Sequence, residues 1–293
     1  MNDLDQQKYT GILPSPPDPR DYSIEDIPLT VPVAIPIEHK LRSSPLILDQ
    51  KSTPFCAGAS GAAVANAHFH TVGEMPDKGF SMTFLYWLSK QYDGIPHIHG
   101  TYLRTLLKVM NKYGCAPETL MPFAIAQQSI STQALREANN YKIHSYARLN
   151  SVQDIKQALL KNCYVLIGTL VTRTNWHRSG GYLSYPQGEL YGGHATHLFG
   201  YDDNLQEAHR GYFRGQNSWG EQWGDKGRFY LPYAYYRMSF EGRPAFLEAW
   251  AVKFVDDEPK KKVLVPSFNP RQTLTNVIER WQNRITDLFT IRR

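Results

Sequence analysis

Cysteine is scarce in this chain, and the three that occur, Cys56, Cys115 and Cys163, cannot all pair. Their spacing suits neither a disulfide framework nor a zinc site, so the fold must rest on its own core. Nothing approaches 18 consecutive apolar residues, which leaves no candidate membrane-spanning helix. The opening MNDLDQQKYTG has neither the basic flank nor the apolar run of a secretory signal. No sign of charge dominates: the net charge is +5 over 293 residues, and three Lys and five Arg face five acidic residues after Val255. A solvated surface explains that balance, and no nucleic-acid motif, cofactor motif or internal repeat accompanies it. With 42% hydrophobic and 20% charged residues, the composition is that of a globular protein large enough to bury a sizeable core.

Three stretches divide the chain. Residues 1–30 form a Pro-rich extension containing LPSPPDPRDY, where proline density excludes a helix. The alternation of Val31, Val33, Ile35 and Ile37 has a strand-like period and predicts an ordered strap. Residues 31–255 change character midway. Helical spacing is predicted from Cys56 to about Val72 and in 83–91, 102–113 and 151–161. Aromatic and branched runs at 164–172, 195–200, 211–216, 227–231 and 248–255 predict antiparallel strands. Helices followed by strands define an α+β architecture of two lobes with a cleft between them. Residues 256–293 begin with the breaker DDEPKKK. Leu274, Val277, Ile278, Trp281, Ile285, Leu288 and Phe289 then form an apolar stripe, predicting an amphipathic helix from about Asn269 to Phe289. Its expected use is attachment to another chain, through a protein partner or self-association.

Chemistry is carried by an ordered quartet. Gln50 stands six positions before Cys56, His194 opens HATHLFGYDD, and Asn217 begins NSWGEQWG. Cys56 follows Pro54-Phe55 at a helix start, where the positive helix end would favour thiolate. His194 is expected as the acid and base, and Asn217 as the acceptor that orients its ring. His197 competes, but three positions apart in a strand the two rings face opposite sides. Gln50 and the Cys56 backbone N–H are expected to hold the oxyanion. The resting pair is expected to be thiolate and imidazolium, which is why an amide at position 217 would suffice.

The quartet, LPSPPDPRDY, YGCAPETLMPF and the two Trp-Gly pairs of NSWGEQWG resemble the papain-like cysteine peptidases over roughly residues 12–254. They are most similar to bacterial and phage-type members without a long prodomain. The resemblance implies a cysteine endopeptidase acting on polypeptides through a thioester, with no cofactor and no metal. It implies that Trp219 shields the Asn–His contact, and that Gly193 and Ala195 border a roomy substrate pocket. Thr53 stands where many secreted relatives carry a disulfide cysteine, which fits a reducing compartment. The expected location is therefore cytoplasmic or within a phage particle. Phe55 and Ala57 depart from the family's usual neighbours of the nucleophile and put substrate preference in question. Two other readings stay open: a component of a large assembly carrying a peptidase-like domain, and an acyltransferase or transamidase using the same triad.

Overall fold

The structure, a computed structural model, describes residues 11–27, 34–176, 179–207 and 209–254. All belong to one compact unit, Met1–Val255. The amphipathic helix expected at 269–289 lies outside the described residues, as do Val31 and Val33. In chain order the elements begin with strands β1 (Ile12–Leu13) and β2 (Glu38–Lys40), then helices α1 (Cys56–Thr71) and α2 (Met82–Lys90). Strand β3 (Thr101–Tyr102), helices α3 (Leu103–Lys112) and α4 (Thr132–Ala138) and strand β4 (Ile143–Leu149) follow. Helix α5 (Val152–Leu160) leads into β5 (Tyr164–Thr172), β6 (Leu190–Gln206), β7 (Arg210–Gln216) and β8 (Arg228–Pro232). A short hairpin, β9 (Ser239–Phe240) and β10 (Arg243–Pro244), precedes β11 (Phe246–Phe254).

Helix α1 is the centre of the first lobe. Its sequence, CAGASGAAVANAHFHT, has little side-chain volume, so neighbouring elements approach its backbone. A Cβ on Gly58 would lie 2.4 Å from the Met82 carbonyl oxygen of α2, and one on Gly61 would lie 3.1 Å from Met110 Sδ of α3. Leu103, Leu106, Leu107 and Met110 are all fully buried, as the helical spacing of α3 requires.

The second lobe is a seven-stranded antiparallel sheet ordered β4-β11-β5-β6-β7-β8, with β2 on β6. Strand β5 pairs with β6 as far as Leu198, and β2 continues that edge from Gly200 to Asp202. One core, with Phe84, Leu106 and Trp250, joins the helices to the sheet. A second, with Ile155, Trp176 and Tyr201, lies against α5 and the sheet. The α+β two-lobed expectation holds.

Differences are local. Strands β2 and β4 and helix α4 carry no periodicity long enough to predict them. The strap's predicted alternation does not persist, since Ile37 is 57% exposed and pairing begins only at Glu38. Residues 11–27, within the Pro-rich extension, are docked on both lobes. Arg104 of α3 holds Asp21 through a two-point ion pair and also donates to the Pro16 carbonyl. Lys161 Nζ donates to the carbonyls of Ile24 and Ile27, at 3.1 and 2.9 Å, while the Ile24 and Ile27 side chains enter the second core.

Because the obstacle at Gly58 is backbone, Gly58→Ala should lower the unfolding free energy by about 1–3 kcal/mol through overpacking. Urea denaturation measures this; an unchanged midpoint would contradict the close contact of α1 with α2.

Candidate active site

Cys56 is the first residue of α1 and is fully buried. No side chain caps this helix. The backbone of Ala195, of Ala57 and of Cys56 itself lies near the sulfur and favours its anion. Loss of water outweighs this, and burial pushes the Cys56 thiol up to about 12. Phe55, one of the two departures beside the nucleophile, turns into the helical lobe. It stacks on Tyr86 at 4.3 Å and meets Trp87 edge-on.

His194 lies on β6 opposite Thr169, one residue before the Ala195 whose backbone lies near the sulfur. Its Nε2 donates to Asn217 Oδ1 at 2.8 Å. The Ser218 N–H donates to the same oxygen at 2.8 Å, which fixes the amide orientation and hence the proton on Nε2. Nδ1 is left as the acceptor, buried and without a hydrogen-bond partner among the described residues. Burial pulls the His194 ring down to about 4, against the supporting bond from Asn217. Burial thus works against the expected thiolate–imidazolium pair in the arrangement described. Two charges stripped of water lose more than the helix end supplies.

Trp219 stacks on His194, with centroids 4.6 Å apart and planes at 26°. Trp176, which the sequence did not single out, meets the same ring edge-on at 5.1 Å and stacks on Trp223 at 5.7 Å. The Trp223 indole donates to the Trp176 carbonyl at 3.0 Å. Trp219 and Trp176 thus cover the His194 ring, and Trp223 backs them both. A lone Trp in a loop carries no local signal of that role. His197 turns away, towards Tyr164 and Phe199, and burial pulls its ring down to about 3.

Gln50 is buried, its side chain held at both ends. Nε2 donates to the Thr53 carbonyl at 2.8 Å, and Oε1 accepts from Ser218 Oγ at 2.6 Å. Ser218 thus orients both Gln50 and Asn217. Thr53 repeats the tie, its Oγ1 donating to the Gln50 carbonyl at 2.6 Å.

The segment 11–15, the N-terminal strap, passes directly over the sulfur. A Cβ added to Gly11 would stand 2.3 Å from Cys56 Sγ and 2.8 Å from the Pro54 carbonyl oxygen. The Gly11 N–H donates to the Gly193 carbonyl at 3.1 Å, and its own carbonyl accepts from the Thr101 N–H at 3.2 Å. Ile12 is buried, with Cδ1 3.1 Å from the position a Cβ would take on Gly168, the strand partner of Ala195. Its Cγ2 and carbonyl face Gly193 equally closely. Ser15 then donates from N and Oγ to Glu248 Oε1 at 3.3 and 3.2 Å. Gly193 and Ala195 therefore border a space that Ile12 fills.

Among the described residues no group of His, Cys, Asp and Glu could hold a metal ion, and no helix is long and apolar enough to cross a membrane. All three cysteines are free and buried.

Comparison with known proteins identifies the family. The signature of the papain family cysteine proteases matches residues 92–239, half of the chain, and the chain belongs to that family. Cys56 and Gln50 precede the matched segment; His194 and Asn217 fall inside it. An uncharacterized peptidase C1-like protein of Acanthamoeba polyphaga mimivirus is 28% identical over 172 residues, 53% of this chain and 54% of that protein. The chain spans about half the length of the curated relatives it matches. Xylellain, a cysteine protease from Xylella fastidiosa, is similar over 84% of this chain and 96% of its own, with a TM-score of 0.70 and 25% identity. The procathepsin B S9 of Trypanosoma congolense shares the fold, with a TM-score of 0.63 at 16% identity over 87% of this chain and 88% of its own.

The buried rings carry a pH dependence. Unfolded histidine titrates near 6.5, whereas His194 and His197 are held down to about 4 and about 3. Above 6.5 both rings are neutral in both states, and their contribution to stability is complete. As pH falls below 6.5 the unfolded chain gains protons that the folded chain refuses, so stability falls. At about pH 4.5 each ring should have cost about 2–3 kcal/mol. Urea midpoints across this range should fall less steeply for His197→Leu than for the native protein; equal slopes would remove His197 as a source.

Proposed function

We propose that this chain is a cysteine endopeptidase that cleaves polypeptides through a thioester on Cys56, and that the form described is its latent state. The observation that carries the reading is the shared support of the site: Ser218 holds Gln50 and Asn217, and Asn217 holds His194. In the proposed reaction His194 Nδ1 takes the Cys56 proton as sulfur attacks the scissile carbonyl carbon. The carbonyl electron pair moves to oxygen, where Gln50 Nε2 and the Cys56 N–H donate to it. As that pair returns, the C–N bond breaks and the leaving nitrogen takes the proton from His194. Water, giving its proton to His194, attacks the thioester; the acid product leaves and the thiol is restored. Asn217 accepts from Nε2 throughout, so the ring gains and loses its proton on one face.

Latency follows from the strap. With Gly11 against the sulfur and Ile12 beside Gly168 and Gly193, a substrate carbonyl has no approach to Cys56. Displacing residues 11–15 would admit water and restore the solvation that both charges need, so the thiolate–imidazolium pair belongs to the opened enzyme. Ile12 also indicates that a branched aliphatic side chain fits the space bordered by Gly193 and Ala195.

On small peptide substrates, Cys56→Ala and His194→Ala should abolish turnover, and Gln50→Ala should lower kcat by about 10²–10³-fold. Labelling by an epoxide thiol inhibitor should map to Cys56. Labelling at Cys115 or Cys163, with Cys56→Ala still active, would overturn the assignment. Gly11→Val cannot keep the strap seated and should raise activity and the labelling rate above those of the native chain; unchanged rates would show that the strap does not restrain the enzyme.

A further inference from the structure

A pocket of about 380 Å³ lies on the second lobe and uses none of the residues assigned to the reaction. Its floor is one cross-strand row. Lys40 of β2 stands opposite Gly200 of β6, Gly200 opposite Arg214 of β7, and Arg214 opposite Tyr230 of β8. Glycine in the middle of that row lets β2 close on β6 and brings Lys40 to the pocket rim. A Cβ on Gly200 would fall 2.7 Å from the His39 carbonyl oxygen and 2.9 Å from Lys40 Cβ. Arg42 and Arg228 complete a lining with four cationic side chains, and Phe199 and Tyr230 supply aromatic walls.

Among the described residues, Arg214 alone of the four is met by acid. Its Nη2 reaches Asp202 Oδ2 at 2.6 Å and Glu38 Oε1 at 3.2 Å, and its guanidinium carbon lies 5.9 Å from the Tyr230 ring centroid. These contacts fix the plane of the group yet leave its buried Nε–H without a partner among the described residues. Arg228 has only a long 3.4 Å bond to Ser43 Oγ. Lys40, Arg42 and Arg228 form no ion pair among the described residues. Like charges gathered on one concave surface repel one another, and an anion in their midst reverses the sign of that interaction. Guanidinium forks match the paired oxygens of a phosphate, whereas lysine adds a point charge. The volume exceeds that of a bare phosphate and sits at the lower end of small-ligand sites.

We propose that this pocket binds a small soluble organic phosphate, its phosphate among Arg228, Lys40 and Arg42 and its apolar part against Phe199 and Tyr230. Calorimetric titration with phenyl phosphate and with inorganic phosphate, at low ionic strength, tests it on the full chain. Phenyl phosphate should bind at a single saturable site, more tightly than inorganic phosphate, and weaken as salt is added. Arg228→Ala should reduce the affinity at least tenfold. Lys40→Ala, which removes an exposed side chain and spares the fold, should reduce it several-fold. Arg20→Ala removes a cation outside the pocket and should leave binding within twofold of native. Absence of saturable binding, or equal losses in Arg20→Ala and Lys40→Ala, would overturn the proposal, the second by reducing it to net charge.

Discussion

The approach of other backbones to α1 is the constraint on which the remaining structure depends. Alanine and glycine fill its first two turns, so α2 and the β6 strand can pack close to the helix axis. That proximity brings the Ala195 backbone to the Cys56 sulfur and sets His194, one residue earlier on the same strand, at the helix end. A larger side chain on the inner face of α1 would separate the lobes, and the nucleophile would part from its base before any reacting group had been altered. Core packing and site geometry are one requirement here, as expected where a site is held by rigid elements.

Removal of water then decides the charge state. Cys56 and His194 are both fully buried, and burial favours the neutral form of each although the nearby backbone favours the sulfur's anion. Burial without a compensating partner costs more than a few dipoles return. The two indoles on His194 cover the ring whose Nε2 donates to Asn217.

Much of this was legible in the sequence where the signal is local. The spacing of Leu103, Leu106, Leu107 and Met110 is a property of one helix, and it placed α3 to within a residue. Strands rich in aromatic and branched residues were found, although β6 runs well past the predicted 195–200 because its Gly-rich start and polar end lack a strand pattern. The company of Gln50, Cys56, His194 and Asn217 was visible through the improbable NSWGEQWG segment. What escaped notice depends on distant pairings. Trp176 gains its meaning from β6 and from Trp223, and Ser218 from Gln50, 168 positions earlier. Gly11 is one glycine among 21, and only the folded chain shows that no other residue fits between Cys56 and Gly100.

The strap is part of the same chain as the cleft it fills. A segment so tethered meets its site at an effective concentration on the order of millimolar when the connection is short and flexible. Its docking, through Ser15, Asp21, Lys161 and the buried Ile12, Ile24 and Ile27, therefore needs less intrinsic affinity than a separate inhibitor would. Occupancy of the cleft by its own chain does not change on dilution, as occupancy by a separate inhibitor would. A single backbone cut after Ile27 would abolish that advantage at once: the same contacts would then have to hold a free peptide at its actual concentration, and the peptide would diffuse away.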